Sequence, residues 1–383
     1  MKVAKVLIVG AGPCGLFLAN LCQLAGLDVT VIEKKPRLSF DTKGLMLHAK
    51  ALELSERIKI ADKLLQNGLI MKYLSFYKQP ERSFHFDFSG LETDYPFYLV
   101  LPQPILERIL FENFSMLGGE ILFDSCLIDL NQNAEIVKAK FSYSGQIEQI
   151  DFEYVFACDG AGSTVRNLLN IEFCGNHFDY RYILAEGELK NAIPKNEASM
   201  YISNNGVVSI IPLPENKYRV AGPGIYEKYQ PGILNVTIIE NVIKKMELSE
   251  KVTFKSYDSV SDYAVGERIA EKFTLGRVAL VGDAAHIHSP AGGQSITTGF
   301  QDAVSLMSSI DISGKKLISD LYYNERFSNV KEIIGLTNFS LLIESIRKCE
   351  STSQQNFIQQ YGDVLVKKLS QLDQYKNIFM EKL

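Results

Sequence analysis

An α/β fold with an inserted β-sheet region and a helical C-terminal part is what this sequence predicts. Three observations predict it. Three short apolar stretches each run into a turn built on glycine or aspartate, near residues 10, 159 and 282. Between the second and third turns, residues 171–263 are mostly strand-like, interrupted by one helical stretch. From Leu317 onward the apolar spacing is helical throughout.

Val6-Leu7-Ile8-Val9 opens the chain as a continuous apolar run of the length a doubly buried strand needs. Gly10-Ala11-Gly12-Pro13-Cys14-Gly15 follows and contains GxGxxG. Gly10 permits a sharp turn, Gly12 lets backbone approach a pyrophosphate, and Gly15 lets the next helix pack close. That helix runs to Gly26, a natural stop. Val29–Ile32 forms a second strand, and Glu33 follows Gly15 by 18 residues, near the spacing for an acid that accepts from ribose hydroxyls. The stretch predicts a Rossmann-like unit for an adenine dinucleotide and does not by itself separate FAD from NAD. Lys34-Lys35-Pro36-Arg37 is a basic patch beside the expected phosphates, or a solvated loop.

Helical spacing resumes at Leu45, Ala49, Leu52 and Ile58. Residues Leu69–Phe88 alternate as strands, Phe97–Leu101 reads as another, and Ile105–Leu117 as a helix ended by Gly118-Gly119. Short strands fill Glu120–Ile150, with Ser144-Gly145 as a hairpin turn. Tyr154–Ala157 then delivers Asp159-Gly160 to a helix that Ser163 can cap. Strand-like runs at Arg181–Leu189, Val207–Pro212 and Tyr218–Ala221 surround a helix at Val236–Met246. The third turn, Gly282-Asp283, leads through His286 as a helix-entry residue and the loop Ser289–Gln294 to a helix over Ser295–Ser309.

Net charge is −5 with no basic stripe, which argues against nucleic acid as a partner. No apolar run approaches the ~18–20 residues of a membrane span. A strand at the N-terminus leaves no room for a signal peptide, so a cytoplasmic protein is expected. Cys14, Cys22, Cys126, Cys158, Cys174 and Cys349 form no CxxC pair and read as reduced core thiols. His286 and His288 make HxH with no third ligand near in sequence, so no metal site is expected.

The three turns together resemble the single-component FAD-dependent monooxygenases, the group that contains para-hydroxybenzoate hydroxylase. The resemblance spans roughly residues 1–335. It implies a Rossmann-like FAD-binding domain over 1–72, 96–175 and 264–335, a substrate-binding sheet over 73–95 and 176–263, and C-terminal helices over 336–383. It also implies that Gly10, Gly12 and Gly15 hold the FAD pyrophosphate, with Ala11, Pro13 and Cys14 in the same turn, and that Glu33 and Lys34 lie at the adenosine. Asp159 and Gly160 would touch the pyrophosphate and serve NADPH binding. Gly282 and Asp283 would meet the ribitol, Gln103 and Gly44 would contact FAD, and Pro290, Gly292, Gly293 and Gln294 would line the isoalloxazine edge. Lys43 stands where the family commonly has Arg, and GGQSITTG replaces GGQGMNTG, which changes the shape of the flavin pocket.

The chemistry so implied is reduction of FAD by NADPH, addition of molecular oxygen and oxygen transfer from a flavin hydroperoxide, with no metal and no protein nucleophile. Within the family, Thr42–Lys50 looks like the tetracycline destructases, flavin monooxygenases that inactivate tetracyclines. Substrate candidates are His48, Phe97, Arg181, Tyr201 and Arg219. Residues 351–383 could form a gating helix or a fixed packing helix. A phenolic hydroxylase of the same family is the serious rival, and a non-catalytic flavin-containing binding protein is a third reading. The absence of Trp sets aside the flavin halogenases, which rely on WxWxIP. A monomer acting on a small molecule is expected.

Overall fold

The structure is a computed structural model. It describes residues 4–39, 44–78, 81–191, 193–203, 206–223, 236–288 and 293–336. Among these, the chain divides into two compact units, one of residues 4–67, 101–176 and 267–336, the other of 68–100 and 177–266.

The first unit is built on a six-stranded sheet in the order Thr274–Leu275, Val278–Leu280, Tyr154–Ala157, Lys5–Val9, Asp28–Ile32, Ile121–Leu122. All pairs are parallel except the Thr274–Leu275 edge. Val6 to Val9, Tyr154 to Ala157 and Val278 to Leu280 are all buried. Such doubly covered strands read as continuous apolar runs because no face is left for water. Helix α1 (Pro13–Leu24) follows the first strand and ends with Gly26 at φ +77°. It packs on α4 (Gln103–Met116) and α7 (Ser295–Ser309), with Phe17 stacked on Phe300 at 3.9 Å between ring centroids. The buried amide of Asn20 donates to Leu16 O and Leu110 O and accepts from Asn113 Nδ2, so its polarity is satisfied. Helices α2 (Ala49–Glu56), α3 (Ala61–Asn67), α5 (Thr164–Leu168) and α8 (Asp320–Leu336) and a meander of Leu127–Gln132, Val137–Tyr143 and Gln146–Phe152 complete this unit. The meander's Ser144-Gly145 turn takes φ +50° and +76°, the pair of left-handed conformations that a tight hairpin requires.

In the second unit the strands run Phe254–Ala270, Phe173–Leu189, Tyr218–Pro223, Gly206–Pro212, Glu197–Ser203, Tyr73–Lys78, Glu81–Asp87. The first two begin or end in the other unit. One junction, Glu197–Ser203 with Tyr73–Lys78, is parallel. Helix α6 (Val236–Lys245) covers one face. Its Ile239, Val242 and Ile243 pack with Ile183, Ala185, Val208, Ile210 and Val220. A Cβ at Gly187 would collide with the backbone oxygen of Ser256, so glycine is what lets those two strands meet.

Three expectations shift. Met46–Leu47 is a short strand, and the helix expected through Leu45 begins only after His48, whose φ/ψ of −78°/165° is extended. His286 enters a short strand, His286–Ile287, not a helix. Cys126 and Cys174 are exposed thiols, while Cys22 and Cys158 are buried. The possible gating segment 351–383 lies outside the described residues. No described helix is long and apolar enough to cross a membrane.

Candidate functional site

Three neighbouring parallel strands carry the three turns. Val9 pairs with Ala157, and Ala157 with Leu280, while Val9 also pairs with Ile32. Gly10, Cys158-Asp159, Val281-Gly282 and Glu33 therefore leave the sheet side by side at its C-terminal edge. Ligands of open α/β sheets bind beyond that edge.

Each turn is set by a local requirement. Gly10 has φ +103°, and a Cβ there would lie 2.5 Å from Cys158 O. A Cβ on Gly15 would collide with Gly10 O. These glycines serve the protein's own packing. Gly12, Gly160 and Gly162 differ, since a Cβ on any of them would meet nothing within 4 Å. Helix α1 starts at Gly12 without a side-chain cap and with Pro13 in its first turn, leaving main-chain N–H groups and the positive end of the helix dipole at the opening. Glu33 accepts from Ala11 N–H at 2.8 Å and from Lys35 N–H at 3.0 Å, so it braces the glycine turn as well as standing at the strand end. Lys34 is exposed.

At the second turn, Asp159 Oδ2 accepts from Thr164 and Val165 N–H, capping α5 alongside Ser163, which accepts from Arg166 N–H. Asp159 Oδ1 is buried and has no protein partner. Burial pushes this carboxyl above the usual carboxylate range, against the bonds from the Val165 and Thr164 N–H groups. Arg166 ties two turns together: Nη2 donates to Ala161 O at 2.7 Å and Nη1 to Ala284 O at 2.9 Å. Its guanidinium lies 3.8 Å over the Phe173 ring.

The third turn, Gly282–Ala284, has Gly282 at φ +61°. The resemblance puts Asp283 at the ribitol, and the structure places Asp283 on the surface. The buried acid is Asp302 in α7, 0% exposed, which sequence reasoning missed. Its Oδ2 accepts from Gly282 N–H at 3.0 Å and from His286 Nε2 at 2.6 Å, and its Oδ1 from Arg326 Nε at 2.7 Å. Burial pushes its carboxyl up, but His286 and Arg326 overcome that and hold it below the ordinary range.

Gln103 Oε1 accepts from Gly44 N–H at 2.7 Å, and Gln103 Nε2 donates to the buried Glu107 at 2.7 Å, so the amide is oriented by protein groups on both sides. Gly293 has φ +63° and abuts Met46, and Gln294 is the first-turn boundary of α7 with no side-chain cap. Thr297, one turn into that helix, has a buried hydroxyl without a partner. Lys43, Pro290 and Gly292 lie outside the described residues.

The substrate candidates fall apart by sheet face. Arg219 is 4% exposed and gives Nε and Nη2 to Glu186 Oε1 at 2.9 and 2.6 Å, on the face opposite α6. Arg181 pairs with Asp262. Tyr201 lies on the α6 face within the apolar cluster, stacked on Tyr77 at 4.8 Å. Phe97 makes an edge contact with Tyr95, and His48 precedes α2.

The cofactor fit rests on three features of one sheet edge: open space at Gly12, Gly160 and Gly162, an uncapped helix start, and a buried carboxylate oxygen lacking a donor. A dinucleotide supplies the matching groups, a pyrophosphate for the N–H groups and hydroxyls for the acids.

Comparison with known proteins agrees. The family model described as FAD binding domain matches residues 3–330. The uncharacterized aromatic compound monooxygenase YhjG of Bacillus subtilis is 32% identical over 334 residues, 85% of this chain and 66% of that protein. The 12-dehydrotetracycline 5-monooxygenase/anhydrotetracycline 6-monooxygenase of Streptomyces rimosus is 30% identical over 311 residues, 79% of this chain and 61% of that protein. The chain thus spans about two thirds or less of these two relatives. Among solved structures, p-nitrophenol 4-monooxygenase PnpA from Pseudomonas putida matches with TM-score 0.81 at 21% identity over 98% of each chain, a likeness of fold.

Proposed function

The chain belongs to the FAD binding domain family, and from that premise we propose that it is an FAD-dependent monooxygenase consuming NADPH, with a tetracycline-type polycycle as substrate. The single observation behind the cofactor half is the alignment of three turns and Glu33 along one sheet edge. The N–H groups at the start of α1 bind the pyrophosphate, and Gly12 and Gly160 leave room for it. Glu33 and Asp283 accept hydroxyl hydrogen bonds from ribose and ribitol. The start of α7, with Gly293, Gln294 and the Thr297 hydroxyl, faces the flavin ring and favours negative charge there. Bound FAD supplies hydride acceptance and activation of molecular oxygen. The protein's share is to orient both partners and exclude water.

For the substrate, the run Thr42–Lys50 and the 30% identity to a tetracycline-pathway monooxygenase support a polyketide ring system. The 32% identity to an aromatic compound monooxygenase supports a second reading, a simple phenolic substrate. Both readings take the protein to be an intracellular monomer. Purified protein should release FAD on denaturation. NADPH consumption across a panel of tetracyclines and phenols, with product mass, separates the two readings: a mass gain of one oxygen on a tetracycline supports the first, and turnover of phenols alone overturns it. Recovery of NAD with no flavin rebinding removes both.

A further inference from the structure

Asp302 is a fully buried carboxylate that the proposed chemistry does not use. An isolated carboxylate in such a place is prohibitive, and this one is made tenable by three donors from three elements: the turn Gly282–Ala284, the strand His286–Ile287 and helix α8. Because an ionised carboxylate only accepts, the proton between it and His286 sits on Nε2.

The two oxygens divide the labour. Oδ1 takes Arg326, whose guanidinium also reaches Thr298 O and Gln301 Oε1, so that side ties α7 to α8. Oδ2 is spent on Gly282 N–H and on His286, just past the turn. The turn is further pinned by Arg166 at Ala284 O, and the Cys14 side chain occupies the space that a Cβ on Gly282 would need. Asp283, between these fixed points, is its exposed member.

We propose that Asp302 is a positioning residue for the cofactor: through the Gly282 N–H it fixes the backbone from which Asp283 reaches the ribitol end of FAD, without touching FAD itself. The proposal rests on the reading that this turn receives FAD. Its atomic consequence is specific. In Asp302→Asn the one remaining oxygen goes to Arg326, since an amide NH2 cannot face a guanidinium. The NH2 then meets Gly282 N–H, donor against donor, and the turn is displaced while the α7–α8 tie survives.

The test titrates FAD-stripped protein with FAD, by quenching of flavin fluorescence, and separately with ADP, by ligand-observed NMR. ADP samples only the half held by the GxGxxG turn and Glu33. Asp302→Asn is expected to weaken FAD roughly 10- to 100-fold, the range for hydrogen bonds to a charged group, and to leave ADP affinity unchanged. Tyr322→Phe removes a buried hydrogen bond to Leu280 O and serves as the purely structural control, lowering the melting temperature with the FAD-to-ADP affinity ratio unchanged. If Asp302→Asn yields no folded protein, Asp302→Glu, with the charge kept and the oxygens displaced by one methylene, is expected to show the same selective loss. An affinity ratio equal to the wild type's in a folded variant overturns the proposal. Failure of the wild-type protein to bind FAD overturns the functional reading instead.

Discussion

Acids in the two units hold different things. In the unit of residues 4–67, 101–176 and 267–336, the carboxylates at the three turns all hold main chain: Glu33 takes Ala11 and Lys35 N–H, Asp159 takes Thr164 and Val165 N–H, and Asp302 takes Gly282 N–H beside its side-chain donors His286 and Arg326. In the unit of 68–100 and 177–266 they hold other side chains: Glu186 with Arg219, Asp262 with Arg181, Glu188 with Lys255, Glu197 with Tyr77. Main-chain donors are present whatever the side chain, so the first arrangement specifies a shape. A side-chain pair is exchangeable, so the second arrangement lets a sheet face change its chemistry while its strands stay paired. A cofactor of fixed structure suits the first design, and a varied set of substrates suits the second.

The largest effect should come from breaking the shape. Gly15→Ala places a Cβ on the Gly10 carbonyl, and Gly10→Ala adds a left-handed φ to a backbone clash. A loss of about 4 kcal/mol or more is expected for either. Soluble yield and flavin per chain are the readouts, and normal values for both variants would show that the turn adapts and that main-chain geometry there is not fixed.

Next comes the exchangeable pair. Arg219→Ala strands Glu186 with little water and should cost about 3 kcal/mol in urea unfolding. Replacing both, as Arg219→Met with Glu186→Leu, should recover most of it, since a buried ion pair is replaceable by packing. A double variant as unstable as the single one would make the pair as obligatory as the glycine turns.

Gly12→Ala should behave in the opposite way to Gly15→Ala. Its φ/ψ of −74°/−179° suits any residue, and the added Cβ meets no protein atom. The melting temperature of FAD-free protein should hold, while FAD affinity falls about 10-fold, or ~1.4 kcal/mol. Unchanged FAD affinity would mean that the open space at Gly12 is not where the dinucleotide lies.

These contrasts also explain what could be read in advance. The strand Lys5–Val9, the Gly10–Gly15 turn and helix α7 at Ser295–Ser309 were legible because glycine geometry and helical period are local properties. Asp302 was not. In Gly-Phe-Gln-Asp-Ala-Val it is an ordinary helix acid, and its donors Gly282 and Arg326 arrive from 20 and 24 residues away. Nor was the place of Tyr201: residues 171–263 read as mostly strand, but a period of two leaves the choice of face to whatever covers it, here α6. Helical spacing ran on through Leu45 and Met46 because it carries no sign of the extended break at His48.

The smallest expected effect concerns Glu107, a buried carboxyl of the first unit that holds the side chain of Gln103. It is 2% exposed and accepts from Gln103 Nε2, which in turn orients Oε1 toward Gly44. Burial raises its carboxyl, and the Gln103 bond and the Lys35 charge only partly offset that. Asp302, held low by His286 and Arg326, has the reverse sign. A carboxyl lowered in the folded state binds its proton more readily when unfolded, so Asp302 contributes stability above about pH 4 that is lost as pH falls. A raised carboxyl contributes stability below its ordinary value of about 4.3, lost as pH rises through the folded value. Glu107→Gln keeps an oxygen for Gln103 Nε2 and cannot ionise. The variant should therefore match the wild type near pH 4 and gain on it toward neutrality, by about 1.4 kcal/mol for each unit by which burial raises the group. Urea unfolding of both proteins from pH 4 to 7 measures the difference. A constant gap across that range would mean that Glu107 titrates as it does in water, and that its bond to Gln103, not its burial, sets its state.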